Sequence, residues 1–318
     1  MSINFTKKIL FKGIAFLLLI ICAFTFDADA QQDPRYTMYM FNKQVVNPGY
    51  TGSTSGPSFT GILRTQWRGI DGAPNTVSLS GHMPFKEKAG FGAYLQYDEI
   101  GLEQTGSAFV SYAYKIPLSI GTLQAGLSGG AEYYNVRLTE ANMPGLLDPA
   151  FQENETRILP NFGAGLYFHT DAFFVGASVP YILNNDLTNR TEEDVSKQFR
   201  HIWVMAGAIV PINDIVKVRP SILFKTIPTD APSQFDFNLS FLFVESIWLG
   251  ASYRTDKSFA PESLDFILSY QFRNGLRLGY AYDLTLNDLN QYTNGSHEVM
   301  FGWDIFGTIE KIITPRYF

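Results

Sequence analysis

The sequence predicts an all-β fold, a transmembrane antiparallel β-barrel of about fourteen strands of the outer-membrane kind. Three observations carry this. Apolar and polar residues alternate through most of the chain; its 318 residues are only 17% charged and 15% aromatic, where a soluble domain carries about 25% charge; and the connections sort by parity into short and long. The stretch "SLDFILSYQF" at 263–272 shows what has to be decided. Leu264, Phe266, Leu268, Tyr270 and Phe272 fall on one side, and Ser263, Asp265, Ser269 and Gln271 on the other. A soluble sandwich would bury the first set, whereas a membrane barrel turns it to lipid and the second to a lumen. The low charge content and the loop parity decide for lipid.

The chain starts with Lys7, Lys8 and Lys12 ahead of an apolar run at 13–26, followed by Ala28-Asp29-Ala30. That is the pattern of a secretory signal peptide with an A-x-A cleavage site, so residues 1–30 are expected to be removed and the mature chain to begin at Gln31. The run is shorter than the ~20 residues a spanning helix needs. The single cysteine, Cys22, lies inside it behind a bulky Ile21, where a lipoprotein signal wants a small side chain. The mature chain then has no thiol, and so no disulfide, cysteine metal site or cysteine nucleophile. Loss of the signal leaves 21 basic against 28 acidic side chains, a net charge of −7. This argues against nucleic acid, which selects basic faces.

Residues 31–58, "QQDPRYTMYMFNKQVVNPGYTGSTSGPS", are too irregular for a barrel strand and are set apart as a periplasmic or lumenal segment. Asp33 can cap a short helix with Pro34 at its first position, and Asn47-Pro48-Gly49 reads as a turn. The segment could plug the lumen or dock a periplasmic partner. A tether against the lower rim is the simpler expectation, because one short helix seldom fills so wide a pore.

The barrel proper is assigned to residues 59–318. Period-2 alternation predicts strands over 59–69, 76–84, 89–98, 107–115, 120–134, 160–168, 172–180, 200–211, 216–226, 233–244, 247–255, 263–272, 275–284 and 296–304. Outward sets such as Phe235, Phe237, Leu239, Phe241 and Phe243, or Leu276, Leu278, Tyr280, Tyr282 and Leu284, are large and aromatic. Their opposite faces are small or charged, as lipid outside and a crowded wet interior require. Even-numbered connections (85–88, 116–119, 169–171, 212–215, 245–246, 273–274) are short. Odd-numbered ones (70–75, 99–106, 135–159, 181–199, 227–232, 256–262, 285–295) are longer and polar, which matches periplasmic turns and extracellular loops. Backbone groups in hydrocarbon find no water, so these strands must close on themselves. The terminal Phe318 resembles the aromatic end by which such barrels are recognised for assembly.

Candidate chemistry is sparse. His82, His169, His201 and His297 are scattered without ligand spacing, so neither a metal site nor a cofactor is expected. Ser80 and His82 share a face but have no orienting third group, so no catalytic triad is read. The lumen side is expected to carry Arg64, Arg68, Lys115, Arg219, Lys225, Asp236, Arg254, Asp265, Arg277, Asp283 and Glu298. Their mixed signs predict cross-strand ion pairs that stiffen the wall, since unpaired charge is costly where water is thin. A solute-selecting eyelet is the alternative.

Two stretches carry a resemblance: "YMFNKQVVNPGYTGS" at 39–53 and "RTQWRGIDGAPNTVSLSGHMPF" at 64–85. They resemble the PorP/SprF family of outer-membrane proteins found with the type IX secretion system of Bacteroidetes. The shared motif residues are Tyr39, Met40, Phe41 and Asn42, then Asn47, Pro48 and Tyr50, then Gln66 and Trp67, then Asp71, Gly72, Ala73 and Pro74. Gly49 stands where alanine is common. The resemblance implies a non-enzymatic outer-membrane protein that assists secretion or surface attachment of large adhesins bearing a C-terminal sorting domain, often in gliding cells. Membrane lipid, the adhesin and other secretion components are the implied partners, and the motif residues are candidates for docking them. For Asp71, Gly72, Ala73 and Pro74 the plainer reading is a tight extracellular turn, with glycine at positive φ and proline fixing direction. A passive channel for small or hydrophobic solutes is the alternative function.

Overall fold

The computed structural model describes residues 35–140, 153–187, 197–227 and 233–305. The expected signal segment, residues 31–34 with Asp33 and Pro34, three internal segments (141–152, 188–196 and 228–232) and the chain end with Phe318 lie outside them. Among the described residues no helix is long and apolar enough to cross a membrane. The crossing elements are strands.

In chain order these are β1 (Ser58–Thr65), β2 (Asn75–Phe85), β3 (Ala89–Ile100), β4 (Glu103–Leu118), β5 (Gly121–Val136), β6 (Glu155–His169) and β7 (Phe173–Val179). Then follow β8 (Ile202–Ala208), β9 (Val210–Pro211), β10 (Val216–Thr226), β11 (Gln234–Phe243), β12 (Ile247–Asp256), β13 (Pro261–Gln271), β14 (Leu276–Thr285) and β15 (Ser296–Asp304). Each pairs antiparallel with its neighbour, and β1 pairs with β15 from Ser58↔Asp304 to Thr65↔His297. The sheet is closed, with β8 and β9 acting as one stave, so the barrel has fourteen. The interruption has a local cause. Pairing of the stave with β10 breaks between Ser221↔Gly207 and Val218↔Val210, opposite Pro220, which has no N–H to donate.

Two features differ from the sequence expectation. The first strand stops at Thr65 rather than residue 69, because Trp67 takes a positive φ of 43° and turns the chain out of the ladder. Conversely β4, β5 and β6 reach 15 or 16 residues, beyond the ~9–11 that span a bilayer. Their outer ends carry Glu103, Gln104, Thr105, Asn135 and Thr156 on either face, where water lies on both sides and no alternation marks the strand. The predicted connection 99–106 therefore shrinks to residues 101–102.

The outer surface is apolar through the middle of the wall. Phe266, Leu268, Tyr270 and Phe272 are exposed while Asp265 is fully buried, which places the Leu-Phe-Leu-Tyr-Phe side of that strand against lipid. Outward aromatics gather towards the short-turn end, where Phe85 contacts Phe91 (ring centroids 5.2 Å), Phe91 contacts Tyr112 (5.1 Å) and Tyr270 contacts Phe272 (4.6 Å). Tyr97, Tyr133 and Tyr253 stand exposed towards the other end. Such girdles flank the hydrocarbon band of outer-membrane barrels. The long connections, 66–74, 137–154, 180–201 and 286–295, all leave one rim, and both ends of the strand series, Ser58 and Asp304, lie at the other.

Candidate functional site: the filled lumen and the outer rim

Residues 35–57 run inside the ring. They contact side chains or backbone of strands all round it, and those from Tyr36 to Thr51 are nearly all buried. The tether expected against the lower rim is thus a plug. Three short turns let a single strand of chain fill the width: a 3-10 turn at Tyr39–Phe41, one helical turn at Lys43–Val46 and a 3-10 turn at Pro48–Tyr50. Asn47 starts the last one, its side-chain oxygen accepting the Gly49 N–H at 2.8 Å with Pro48 at the first position. The Asn-Pro-Gly turn read from the sequence is present.

Bulk comes from aromatic and long side chains. Phe41 meets Trp248 edge-on at 6.2 Å, and the Arg219 guanidinium lies over the Trp248 ring at 4.0 Å and the Phe41 ring at 5.1 Å. Tyr50 packs edge-on against both Tyr167 and His82 at 5.2 Å, with the Lys43 ammonium 5.2 Å from the Tyr50 ring and 5.1 Å from Phe174. Against these the wall presents Ile62, Met205, Leu242, Trp248, Ile267 and Met300, all buried and all on the inner face. Sequence reasoning passed over them. Their signal was there: Ile267 sits between Asp265 and Ser269 on the face otherwise read as polar, and an apolar belt inside a barrel needs something apolar to cover it.

Elsewhere the wall makes room. The inner face carries Gly126 opposite Gly165 on β5 and β6; a Cβ on the first would collide with the Pro48 carbonyl and on the second with the Asn47 side chain. The Asn47 amide donates to the Leu166 carbonyl at 2.9 Å, and Ser178 Oγ donates to the Val46 carbonyl at 2.7 Å.

Towards the long-loop end the plug enters a buried ionic cluster. Arg64 bridges Asp283 (2.6 Å) and Glu298 (2.9 Å); Arg254 pairs with Asp236 (3.1 Å) and Asp265 (3.3 Å). Two guanidiniums thus face four carboxylates. The plug supplies further donors: Thr37 N and Met38 N each donate to Glu298 at 2.8 Å, and Thr37 Oγ1 lies 2.8 Å from both Asp283 oxygens. Arg35 closes the series on Glu262 at 2.8 Å. The cross-strand ion pairs expected from the mixed charges are present, tied to the plug. Arg68 departs from that expectation: it is exposed in the first outer connection, not in the lumen. Lys115 is only half-buried, near the short-turn end.

From the long-loop rim the connection after β7 folds inward. Tyr181 joins Tyr94 and Phe109, with plug residue Val45 packed on the same cluster. The Asn161 amide donates to the Leu183 carbonyl and to Gln198 Oε1 at 3.1 Å, and Gln198 in turn donates to Glu132. Among the described residues the lumen is occupied from both ends.

The motif residues fall into two groups. Tyr39, Met40, Phe41, Asn42, Asn47, Pro48 and Tyr50 are buried in the plug, and Asn42 accepts from Ser80 at 2.7 Å. They are not open to a docking partner. Gln66, Trp67, Asp71, Gly72, Ala73 and Pro74 form the first outer connection. It is clamped on both flanks: Arg68 N donates to the Gly295 carbonyl and Asn294 N to the Arg68 carbonyl, while Gly101 N donates to the Gly72 carbonyl at 2.8 Å. Gly72 has φ of 74°, as a turn of this kind needs. Asp71 and Gly72 are exposed at its tip, whereas Gln66 and Pro74 are buried. The histidines stay apart: His82 and His201 face inward, His169 sits at the short-turn end and His297 faces outward, 2.7 Å from Tyr280 Oη.

A family model described as the type IX secretion system membrane protein PorP/SprF matches residues 28–303. This chain belongs to the PorP/SprF family. Membership and fold together place it in the outer membrane, in association with type IX secretion. Among solved structures, the barrel is similar to the toluene transporter TbuX of Ralstonia pickettii, at 11% identity, covering 83% of this chain and 93% of that one with a TM-score of 0.52. It is also similar to Omp33 of Acinetobacter baumannii, at 10% identity over 79% of this chain and 98% of that one, with a TM-score of 0.47. At such identities only the fold is shared. No curated protein matches the chain.

Proposed function

We propose that this PorP/SprF protein is a non-enzymatic partner of type IX secretion that assists secretion or cell-surface attachment of large adhesins carrying a C-terminal sorting domain. Family membership carries the reading. The filled lumen supports it, since a barrel stoppered by its own chain and by an inward loop offers its outer rim, not its bore, as the working surface. The clamped connection at 66–74 is the part of that rim best suited to hold a folded partner, because its backbone is fixed before the partner arrives. Residues 52–57 and the short turns are left to meet periplasmic components. The test is deletion of the gene in the native cell, scoring adhesin on the surface and other secreted proteins in the medium. Loss of the adhesin alone is expected, and unchanged display overturns the reading.

A passive channel is the competing function, and a structural neighbour bears the name of a toluene transporter. It requires a continuous path. The contacts of Tyr39, Phe41, Lys43 and Tyr50 across the lumen oppose it.

A further inference from the structure

Inward cations at the short-turn mouth differ in what they meet. On one side of it they find carboxylates: Lys217 pairs with Glu245, and Arg277 with Asp304 at 3.1 Å. On the other side stand Lys88 and Lys115. Lys115 N donates to the Lys88 carbonyl at 2.8 Å, one step beyond Ala89↔Tyr114 in the β3–β4 register, so the two lysines lie directly opposite each other. Their faces are the lumen faces, because Gly90 and Ala113, next on each, are buried while Phe91 and Tyr114 face out. Among the described residues neither lysine is in an ion pair. Like charges directly opposite on a strand pair repel. The plug lies just above and brings no relief. A Cβ on Gly90 would strike the Thr51 carbonyl, and Thr51 Oγ1 is 2.8 Å from Ser111 Oγ on the face that carries Lys115, yet residues 36–57 contain Lys43 and neither Asp nor Glu. Gln124, opposite Lys115 on β5, has the uncharged company of His169 at 3.3 Å. The acids of this sector, Glu87 and Asp171, are exposed on turn tips.

We propose that Lys88 and Lys115 form an anion-holding vestibule at the periplasmic mouth, and that its occupant is an acidic segment of a periplasmic protein entering from below. The partner's place in secretion rests on the proposed function, in which the short turns meet periplasmic components; the chemistry of the vestibule does not. Charge complementarity names the occupant. Opposite residues on a strand pair have Cβ atoms about 5 Å apart, close enough for both ammoniums to hold one carboxylate or two neighbouring ones. Lys115 is half-buried, so salt screens its charge less than that of a free surface lysine. The lumen side excludes a lipid headgroup as the fitting source. Phe85, Phe91 and Tyr112 mark the lipid side of these staves, and an inner-leaflet phosphate there would meet Lys86, whose ammonium lies 5.5 Å from the Phe85 ring.

The test follows the fluorescence anisotropy of a fluorescein-labelled oligoglutamate peptide with the whole barrel in phosphatidylcholine nanodiscs, which supply no anionic headgroup. The parent is expected to bind at low salt and to release the peptide as salt rises. Lys88→Gln with Lys115→Gln is expected to weaken binding about tenfold, while Lys86→Gln at the lipid edge and Arg273→Gln elsewhere on the same rim leave it nearly unchanged. No binding by the parent, or an equal loss in either control, overturns the vestibule. Anionic phospholipid retained through purification by the parent and lost from the double variant assigns the lysines to lipid and overturns the peptide as occupant. Removing two facing like charges is expected to hold or raise the unfolding midpoint, and a fall makes the lysines structural, which also overturns the proposal. In the native cell, Lys88→Glu with Lys115→Glu is expected to reduce surface adhesin at an unchanged amount of folded barrel. Unchanged display, in a strain where deleting the gene abolishes it, overturns the partner role; unchanged display after deletion as well overturns the proposed function and leaves the peptide result standing.

Discussion

Arg64 shows how much a single inner-face side chain has to do. It contacts Asp283, Glu298 and the Thr37 hydroxyl, all buried, so that wall and plug share one cation. Removing one member of a buried ionic group leaves its partners charged and unpaired, which costs about 3–5 kcal/mol. Arg64→Gln is therefore expected to lower the unfolding free energy of the barrel folded in lipid vesicles, read from a denaturant titration, by about 3–5 kcal/mol, while the paired replacement of Arg64→Gln with Glu298→Gln recovers part of it. Gly126 makes the complementary case. It is absent room, not charge, that matters there, and Gly126→Ala sets a methyl against the Pro48 backbone, which cannot swing aside. Overpacking of this kind costs about 1–3 kcal/mol. Its check is the unfolding midpoint in the same vesicles, with Gly129→Ala, whose added carbon meets only the Phe162 ring, expected to be milder.

At the scale of elements, the strands were legible wherever one side meets lipid and the other does not. Phe266, Leu268 and Tyr270 against Asp265 and Ser269 fix both the strand and its face. Legibility failed in two places for physical reasons. The outer ends of β4 to β6 stand in water on both sides, so their residues have no cause to alternate. The plug has no period at all, because its three turns are too short for one, and its presence was encoded instead in the wall, through Ile62, Ile267 and Met300 inside and through Gly126 and Gly165. The motif residues were read as one unit of sequence, but they serve two places: Tyr39 to Tyr50 hold the plug, and Gln66 to Pro74 shape the rim. This separation predicts different phenotypes. Asp71→Lys, at an exposed tip, should leave stability within about 0.5 kcal/mol of the parent yet reduce adhesin retention, whereas Tyr50→Ala should lower the yield of folded barrel. Quantifying folded protein and surface adhesin in the same cells separates them.

For the whole molecule, the question is whether the bore conducts. The parent protein is expected to show no stable single-channel current in planar bilayers, whereas a chain lacking residues 35–51 should show discrete conducting events if it still closes. Steady large conductance by the parent would return the protein to the channel reading. Charge selectivity in the shortened form should favour cations, because the carboxylates of Asp236, Asp265, Asp283 and Glu298 outnumber the guanidiniums of Arg64 and Arg254 that face them.

The bond between Thr37 and Glu298 joins residues 261 apart in sequence, and the seam beside it is fastened by Ser58 to Asp304 at 2.6 Å and by Arg277 to Asp304 at 3.1 Å. A ring already shut could admit this thread only by pulling a crowded chain through a crowded hole. The staves must therefore gather round the thread, the latest-made ones last, much as a cask is raised about a mandrel. Residues 35–57 would then act as an internal former on which the final joint is made, giving a stretch built only of short turns a part in the construction of everything that surrounds it.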